Sequence, residues 1–346
     1  MPERSKAPGA AASHETRITQ PAAPAAVPLS NHALAEHMLQ RQPHPAPVPG
    51  NQPVPAPAPG AGSELAQYTD SMRERRAYQT RIFEKDPHAP STGRGLFGAE
   101  LGIGTLAITI RCSFDFEDAS FWEYPTAPDE ETEWQPGEAD RWKETFMAQV
   151  RSVWSGKHTF HCQRDWWEDE HVTTDIRVVE DKKDPHYECT VKKIPPTARE
   201  TSSVTPPMFG GWLGGGSATL DSNDINPENK RAGTQRPGVH EAGHMLGLGD
   251  EYGDSGEAAH SELNKQQGHG AVAKTRDGRV MSNGEDVGQA HGATFLEVLE
   301  EMTGMDWDHA KKAPPRPVPA GAPPSHSEPG DYPTPAPRGP NDAVPV

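Results

Sequence analysis

Only three cysteines, Cys112, Cys162 and Cys189, occur in 346 residues. They are too few to staple a disulfide scaffold, and none pairs at the short spacing of a zinc finger. All three fall in strand-like segments, where a buried thiol is the default; a single bridge from Cys162 to Cys189 stays open. Positive charge is scarce as well: 33 Lys and Arg stand against 50 Asp and Glu, a formal net charge of −17. A nucleic-acid-binding face must be basic, so this balance disfavours that class, and a cluster as small as Arg73, Arg75 and Arg76 does not reverse it. No run approaches the roughly 20 apolar residues of a membrane span. The stretch Met1 to Pro8 lacks the apolar core of a secretory signal peptide. The expectation is a protein that is cytoplasmic or exported by a signal-peptide-independent route.

Proline, by contrast, is abundant: 37 residues, with only 33% of the chain hydrophobic. That balance points to one folded domain with tails rather than two domains. Residues 1–62 are an Ala/Pro-rich tail in which Pro43 to Pro49 and Pro53 to Pro59 suit extended polyproline linkers, with a short helix candidate at Asn31 to Leu39. Residues 311–346 repeat the composition, and both ends are expected to be disordered. Between them, 63–94 reads as a helical linker, docking segment or pro-segment, with a helix from Ser63 to Glu84. The segment 95–310 is the expected catalytic domain.

Within it, Thr105 to Phe114 alternates as a strand with one buried face, and Asp140 to Trp154 repeats apolar residues at helical spacing until Gly156. His158 to Cys162 is a short strand. Val172 to Glu180 and Tyr187 to Ile194 read as two strands of a hairpin turning at Asp181 to Pro185. Ser217 to Asp221 is a last strand, and His291 to Met302 a closing helix. The fold class expected is α+β. Gly210 to Gly216 is a flexible loop, a candidate lip of a substrate cleft. Asp221, Asn223, Asp224, Asn226 and Glu228 form an oxygen-rich loop and a calcium candidate, without the EF-hand spacing. His158, His161, His171, His260, His269 and His291 are each read as surface or packing residues.

The most informative stretch is His240-Glu241-Ala242-Gly243-His244-Met245-Leu246-Gly247-Leu248-Gly249-Asp250. Two His four apart on a helix share a face and can reach one metal. Glu241 lies between them, placed to take a proton from a metal-activated water. Gly247 and Gly249 can end the helix in the left-handed conformation, returning the chain so that Asp250 reaches the same metal. A Glu from a later segment, Glu257, Glu262 or Glu285, is the other candidate for the third ligand. Tyr252 is near in sequence and has no assigned role.

The pattern H-E-x-x-H-x-x-G-x-x-D resembles that of the metzincin metallopeptidases, in its form with an aspartate as third ligand. Arg279-Val280-Met281-Ser282-Asn283 resembles the Met-turn of that clan. One departure is Asn283, where several metzincin families carry a tyrosine. The resemblance, over about residues 95–310, implies a zincin-like mixed sheet and one catalytic Zn2+ held by His240, His244 and Asp250. It also implies Glu241 as general base, Met281 beneath the site, and a protein or peptide substrate. The alternatives are a non-catalytic adaptor with a residual metal site, or a delivered peptidase toxin, either engaging a secretion or injection apparatus through the tails.

Overall fold

The computed structural model describes residues 64–207, 214–253, 256–275 and 277–309. The two expected tails, the Asn31 to Leu39 helix and most of the Gly210 to Gly216 loop lie outside the described residues. The chain opens with helix α1 (Glu64–Gln79), followed by strands β1 (Phe83–His88), β2 (Phe97–Gly102) and β3 (Thr105–Glu117). The short helix α2 (Asp129–Thr132) and the long helix α3 (Glu138–Trp154) come next. Strands β4 (Thr159–Cys162), β5 (His171–Glu180), β6 (Tyr187–Lys192), β7 (Ser203–Thr205) and β8 (Gly216–Asp221) follow. The small ribbon β9 (Glu228–Lys230) and β10 (Gly233–Gln235) then leads into helix α4 (Pro237–Met245). Helix α5 (Ser261–Gln266), a 3-10 turn at Gln289–Gly292, helix α6 (Ala293–Thr303) and strand β11 (Trp307–Asp308) complete the described chain.

These elements make a mixed α+β fold on one mixed sheet ordered β11-β4-β5-β3-β6-β8-β7, with β2 beside β3 and β1 beside β2. β3 is its spine. Leu106, Ile108, Ile110, Cys112 and Phe114 alternate onto one buried face, as a two-residue period requires, while the intervening residues remain partly exposed. Helix α3 covers that face with Trp142, Phe146, Val150, Val153 and Trp154 at helical spacing. It stops where Gly156 takes a positive φ of 69°. Helix α6 adds Phe295, Leu296, Val298 and Leu299 to the same core.

Three findings differ from the sequence reading. The segments 172–180 and 187–194 are not a hairpin: β5 and β6 both run parallel to β3 and flank it on opposite sides. The link Asp181 to His186 crosses the spine, and Arg111 holds it there. Arg111 Nε donates to Asp184 O at 2.8 Å, its Nη2 pairs with Asp184 Oδ2 at 3.0 Å, and its Nη1 pairs with Asp86. Two strand-like runs with a polar turn look the same in sequence whether they pair or straddle a third strand. The proposed Cys162–Cys189 bridge is absent: all three cysteines are free and buried, and β5 and β3 separate β4 from β6. Finally, the first helix ends at Gln79, and Phe83 opens β1, which joins the sheet through β2. Helix α1 packs Tyr68 edge-on to Trp166, with ring centroids 5.5 Å apart, and Arg75 and Gln79 bind Glu170. No helix among the described residues is long and apolar enough to cross a membrane.

Candidate metal centre

Helix α4 is nine residues long and has almost no exposed side, because Gly238, Val239, His240, Glu241, Ala242, Gly243 and Met245 are all buried. Pro237 fits its first turn, where no amide hydrogen is needed. Its start is tied down from outside: Gly238 N donates to Asp224 O at 3.0 Å, and Arg236 pairs with Glu285 at 2.7 Å. Its end is finished by four residues from three other segments. Leu96 N and Tyr187 Oη donate to Met245 O at 3.1 and 3.2 Å, Thr294 Oγ1 to Leu246 O at 2.9 Å, and Thr92 Oγ1 to Gly247 O at 2.9 Å. These are carbonyls a helix leaves without internal partners.

Gly247 ends the helix in the expected manner, with φ of 93°. Gly249 does not, and is needed for a different reason. It lacks a positive φ, and a Cβ there would lie 2.5 Å from Ala259 Cβ, so the requirement is close approach of the chain.

Beyond the turn, Asp250 returns to the two histidines. Its Oδ1 lies 3.2 Å from His240 Nε2 and 3.3 Å from His244 Nε2. Donor atoms about 2.0–2.1 Å from a tetrahedral zinc stand roughly 3.3 Å apart, so the spacing fits that ion. The tautomers fit as well. His240 Nδ1 donates to Val280 O at 2.8 Å and His244 Nδ1 donates to Leu248 O at 2.9 Å, and a carbonyl can only accept. In neutral rings that leaves both Nε2 atoms as lone pairs aimed at the cluster, the arrangement metal-binding imidazoles require. Two lone pairs and a carboxylate oxygen at this distance repel one another unless a cation or a proton sits among them. Asp250 Oδ1 is buried and has no hydrogen-bond partner.

Without a metal, a proton can take the cation's place. Burial opposes the Asp250 charge, yet the two histidines, when they carry that proton, hold its carboxyl well below the usual range. Burial raises the Glu241 pKa, partly offset by the same histidines, and its Oε2 is buried with no partner. A carboxylate so placed is a stronger base than one in water. Tyr252, half exposed, sets its ring 5.8 Å from that of His240, and burial with Asp250 pushes its pKa up to about 12.

Met281 sits beneath this site. It is fully buried, and Gly243 on α4 is the position that faces it, since a Cβ there would overlap Met281 Sδ. Gln235, which the sequence reading did not single out, fastens the turn: its amide donates to Val280 O at 2.9 Å, Ser282 O at 3.1 Å and Gly284 O at 3.2 Å. The other candidate third ligands point elsewhere. Glu285 binds Arg236, Glu257 binds Ser261 and Lys265, and Glu262 binds Lys265.

Two further clusters hold three metal-capable groups within reach of one another, Glu251 with His260 and His291, and His269 with Asp308 and His309. In the second, the His269 and His309 rings stack 4.0 Å apart and 20° from parallel. Among the described residues the Asp221 to Glu228 loop is not such a cluster. Asp224 Oδ2 accepts from Ser202 Oγ and from Asp221 N, and Asp221 Oδ1 from Asn223 N. The spare histidines His260 and His291 were read as packing residues, and no spacing signal joins them to Glu251. Set against family models, curated proteins and solved structures, this chain matches none of them.

Proposed function

We propose that this chain is a zinc-dependent endopeptidase of metzincin type, with His240, His244 and Asp250 as ligands and Glu241 as general base. The observation that carries the reading is the convergence of two lone-pair-bearing imidazoles and one unpartnered carboxylate oxygen at 3.2–3.3 Å, beside a second buried, unpartnered carboxylate. Two imidazoles and a carboxylate suit zinc, and a bound zinc supplies the Lewis acidity that makes water a nucleophile near neutral pH. The same three donors also hold iron(II) in oxygenases. Glu241 favours zinc hydrolysis, because oxygen activation has no need of a buried base.

Glu241 accepts the proton of the water whose oxygen attacks the peptide carbonyl carbon. It then delivers that proton to the amide nitrogen as the C–N bond breaks, so it ends the cycle as it began. Burial, which raises its pKa, suits both halves of this transfer. The turn bearing Met281 holds Val280 O against His240 Nδ1 and so fixes the ring that faces the metal.

The test pairs metal analysis with cleavage of a peptide library, wild type beside Glu241→Gln. The expectation is one zinc in each protein and a rate lower by roughly 10²–10⁴-fold in the variant. Iron in place of zinc, or equal turnover by both proteins, overturns the proposal. Zinc without hydrolysis in either protein would favour a binding protein that retains a metal site.

A further inference from the structure

We propose that Glu251 is a positioning residue for the metal centre, fixing Asp250 as third ligand through a buried hydrogen-bonded anchor; this rests on the metal centre proposed above. Glu251 is wholly buried, as are His260 and His291 on either side of it. Its Oε1 lies 3.2 Å from His260 Nε2 and 3.3 Å from His291 Nε2, and its Oε2 lies 3.1 Å from Arg279 Nε. The backbone of the same residue is held on both sides: Glu251 N donates to Met281 O at 2.7 Å, and Thr275 N donates to Glu251 O at 2.5 Å. The residue directly after Asp250 is thus fastened to the segment before α5, to the turn bearing Met281 and to the turn before α6. Asp250 itself is part-exposed, and its side chain meets its fellow ligands His240 and His244 and its neighbour Tyr252, none of them in the segments that grip Glu251. Its aim is inherited from its neighbour.

The same cluster could be taken for a second metal site, and the tautomers speak against that. His260 Nδ1 accepts from Gly249 N at 3.3 Å, and His291 Nδ1 accepts from Gly288 N at 3.0 Å. A neutral ring that accepts at Nδ1 carries its hydrogen on Nε2, so both Nε2 atoms face Glu251 as N–H groups rather than as lone pairs. His240 and His244 have the opposite arrangement, donating from Nδ1. Arg279 adds a fixed positive charge at the other oxygen of the same carboxylate. His260 Nε2 is hydrogen-bonded to Glu251 Oε1, while His291 and Arg279 stand at ion-pair distance from the carboxylate, so one carboxylate and one guanidinium balance in charge without a metal.

Glu251→Gln is the informative variant. Its amide oxygen can still accept from the histidines, but its NH2 then faces the Arg279 guanidinium, two donors with no acceptor between them. The full chain would be titrated with Zn2+ against a competing chelator, and with Co2+ for its visible spectrum, as wild type, Glu251→Gln, Glu251→Asp and Arg279→Gln. The expectation is one metal per chain in the wild type and affinity about 10–100-fold weaker in Glu251→Gln, the range for residues that orient ligands. An altered Co2+ spectrum and a smaller loss in Arg279→Gln should accompany it, and Arg279→Gln keeps the test open if Glu251→Gln does not fold. Wild-type affinity and spectrum in all three variants overturn the inference while leaving the metal centre intact. Two metals in the wild type and one in Glu251→Gln overturn it in favour of a second site. A wild type that binds no metal overturns the centre itself, and this inference with it.

Discussion

Gly243→Ala tests the tie between the metal helix and the turn beneath it. In a helix interior alanine is favoured over glycine by about 1 kcal/mol, so on propensity alone this substitution stabilises. The packing opposes it. A methyl group at residue 243 would overlap Met281 Sδ and lie 3.0 Å from Trp154 Cζ2 and 3.1 Å from Met281 Cε. Met281 and Trp154 are both fully buried, and Trp154 Nε1 is held by Val239 O at 3.2 Å, so the ring is not free to retreat. Overpacking of this kind costs about 1–3 kcal/mol. The overlap with Met281 Sδ puts the clash in the upper part of that range, about 2–3 kcal/mol, so a net loss of about 1–2 kcal/mol is expected. Met281→Ala should lose about 2–5 kcal/mol through the cavity it leaves. The double variant should lose less than the two single losses added, by at least about 1 kcal/mol, because the new methyl enters that cavity. Urea unfolding of the metal-free chain, followed by tryptophan fluorescence and circular dichroism, measures all three. Additive losses, or a Gly243→Ala protein as stable as wild type, would refute this packing and with it the placing of Met281 beneath the metal helix.

Gly247→Ala forces a side chain into a φ of 93°, 2.9 Å from Pro90 Cγ and 3.0 Å from Arg94 O, and should cost about 1–3 kcal/mol and weaken zinc affinity; unchanged affinity by competition titration would count against the turn's role in presenting Asp250. Chelation should lower apparent stability by about 4 kcal/mol relative to free zinc at a thousandfold excess over Kd, read as a shift in urea midpoint. His158 is buried, and burial with nearby His291 depresses its pKa from 6.5 to about 3. The unfolded chain therefore takes up a proton that the folded chain refuses, so this stability is complete above pH 6.5 and lost as pH falls toward 3. The slope is about 1.4 kcal/mol per pH unit, or about 2 kcal/mol by pH 5. In the metal-free protein His158→Gln should flatten that slope, and an unchanged slope would exclude His158 as its source.

Periodicity made the centre of the fold legible. The alternation of β3 and the helical repeat of α3 each report a buried face directly, because side-chain direction follows from backbone geometry. The two histidines of α4 were legible for the same reason, since a spacing of four puts them on one face. What periodicity cannot carry is how elements pair. Tyr187 to Lys192 reads as a strand in either arrangement, and its parallel ladder across β3 from β5, with Arg111 gripping Asp184 in the link, is visible only in the structure. Nor could spacing reveal Gln235 beneath Val280, Ser282 and Gly284, or Glu251 among His260, His291 and Arg279. Each of those is a single polar residue whose partners lie far along the chain or in another loop.

The carbonyls at the end of α4 have a consequence for how the motif can be used. Leu96, Tyr187, Thr294 and Thr92 each supply a donor there, from positions 48 to 155 residues away in sequence. A nine-residue helix is marginal alone in water, and this one has its last turn completed by strangers. The metal motif is therefore not portable. A peptide spanning Pro237 to Asp250, or the same residues grafted onto another helix, would carry every ligand and still lack the site. On the proposed function, affinity for the ion is a property of the assembled fold, so loss of metal should serve as an early sign of damage anywhere that those four donors are anchored.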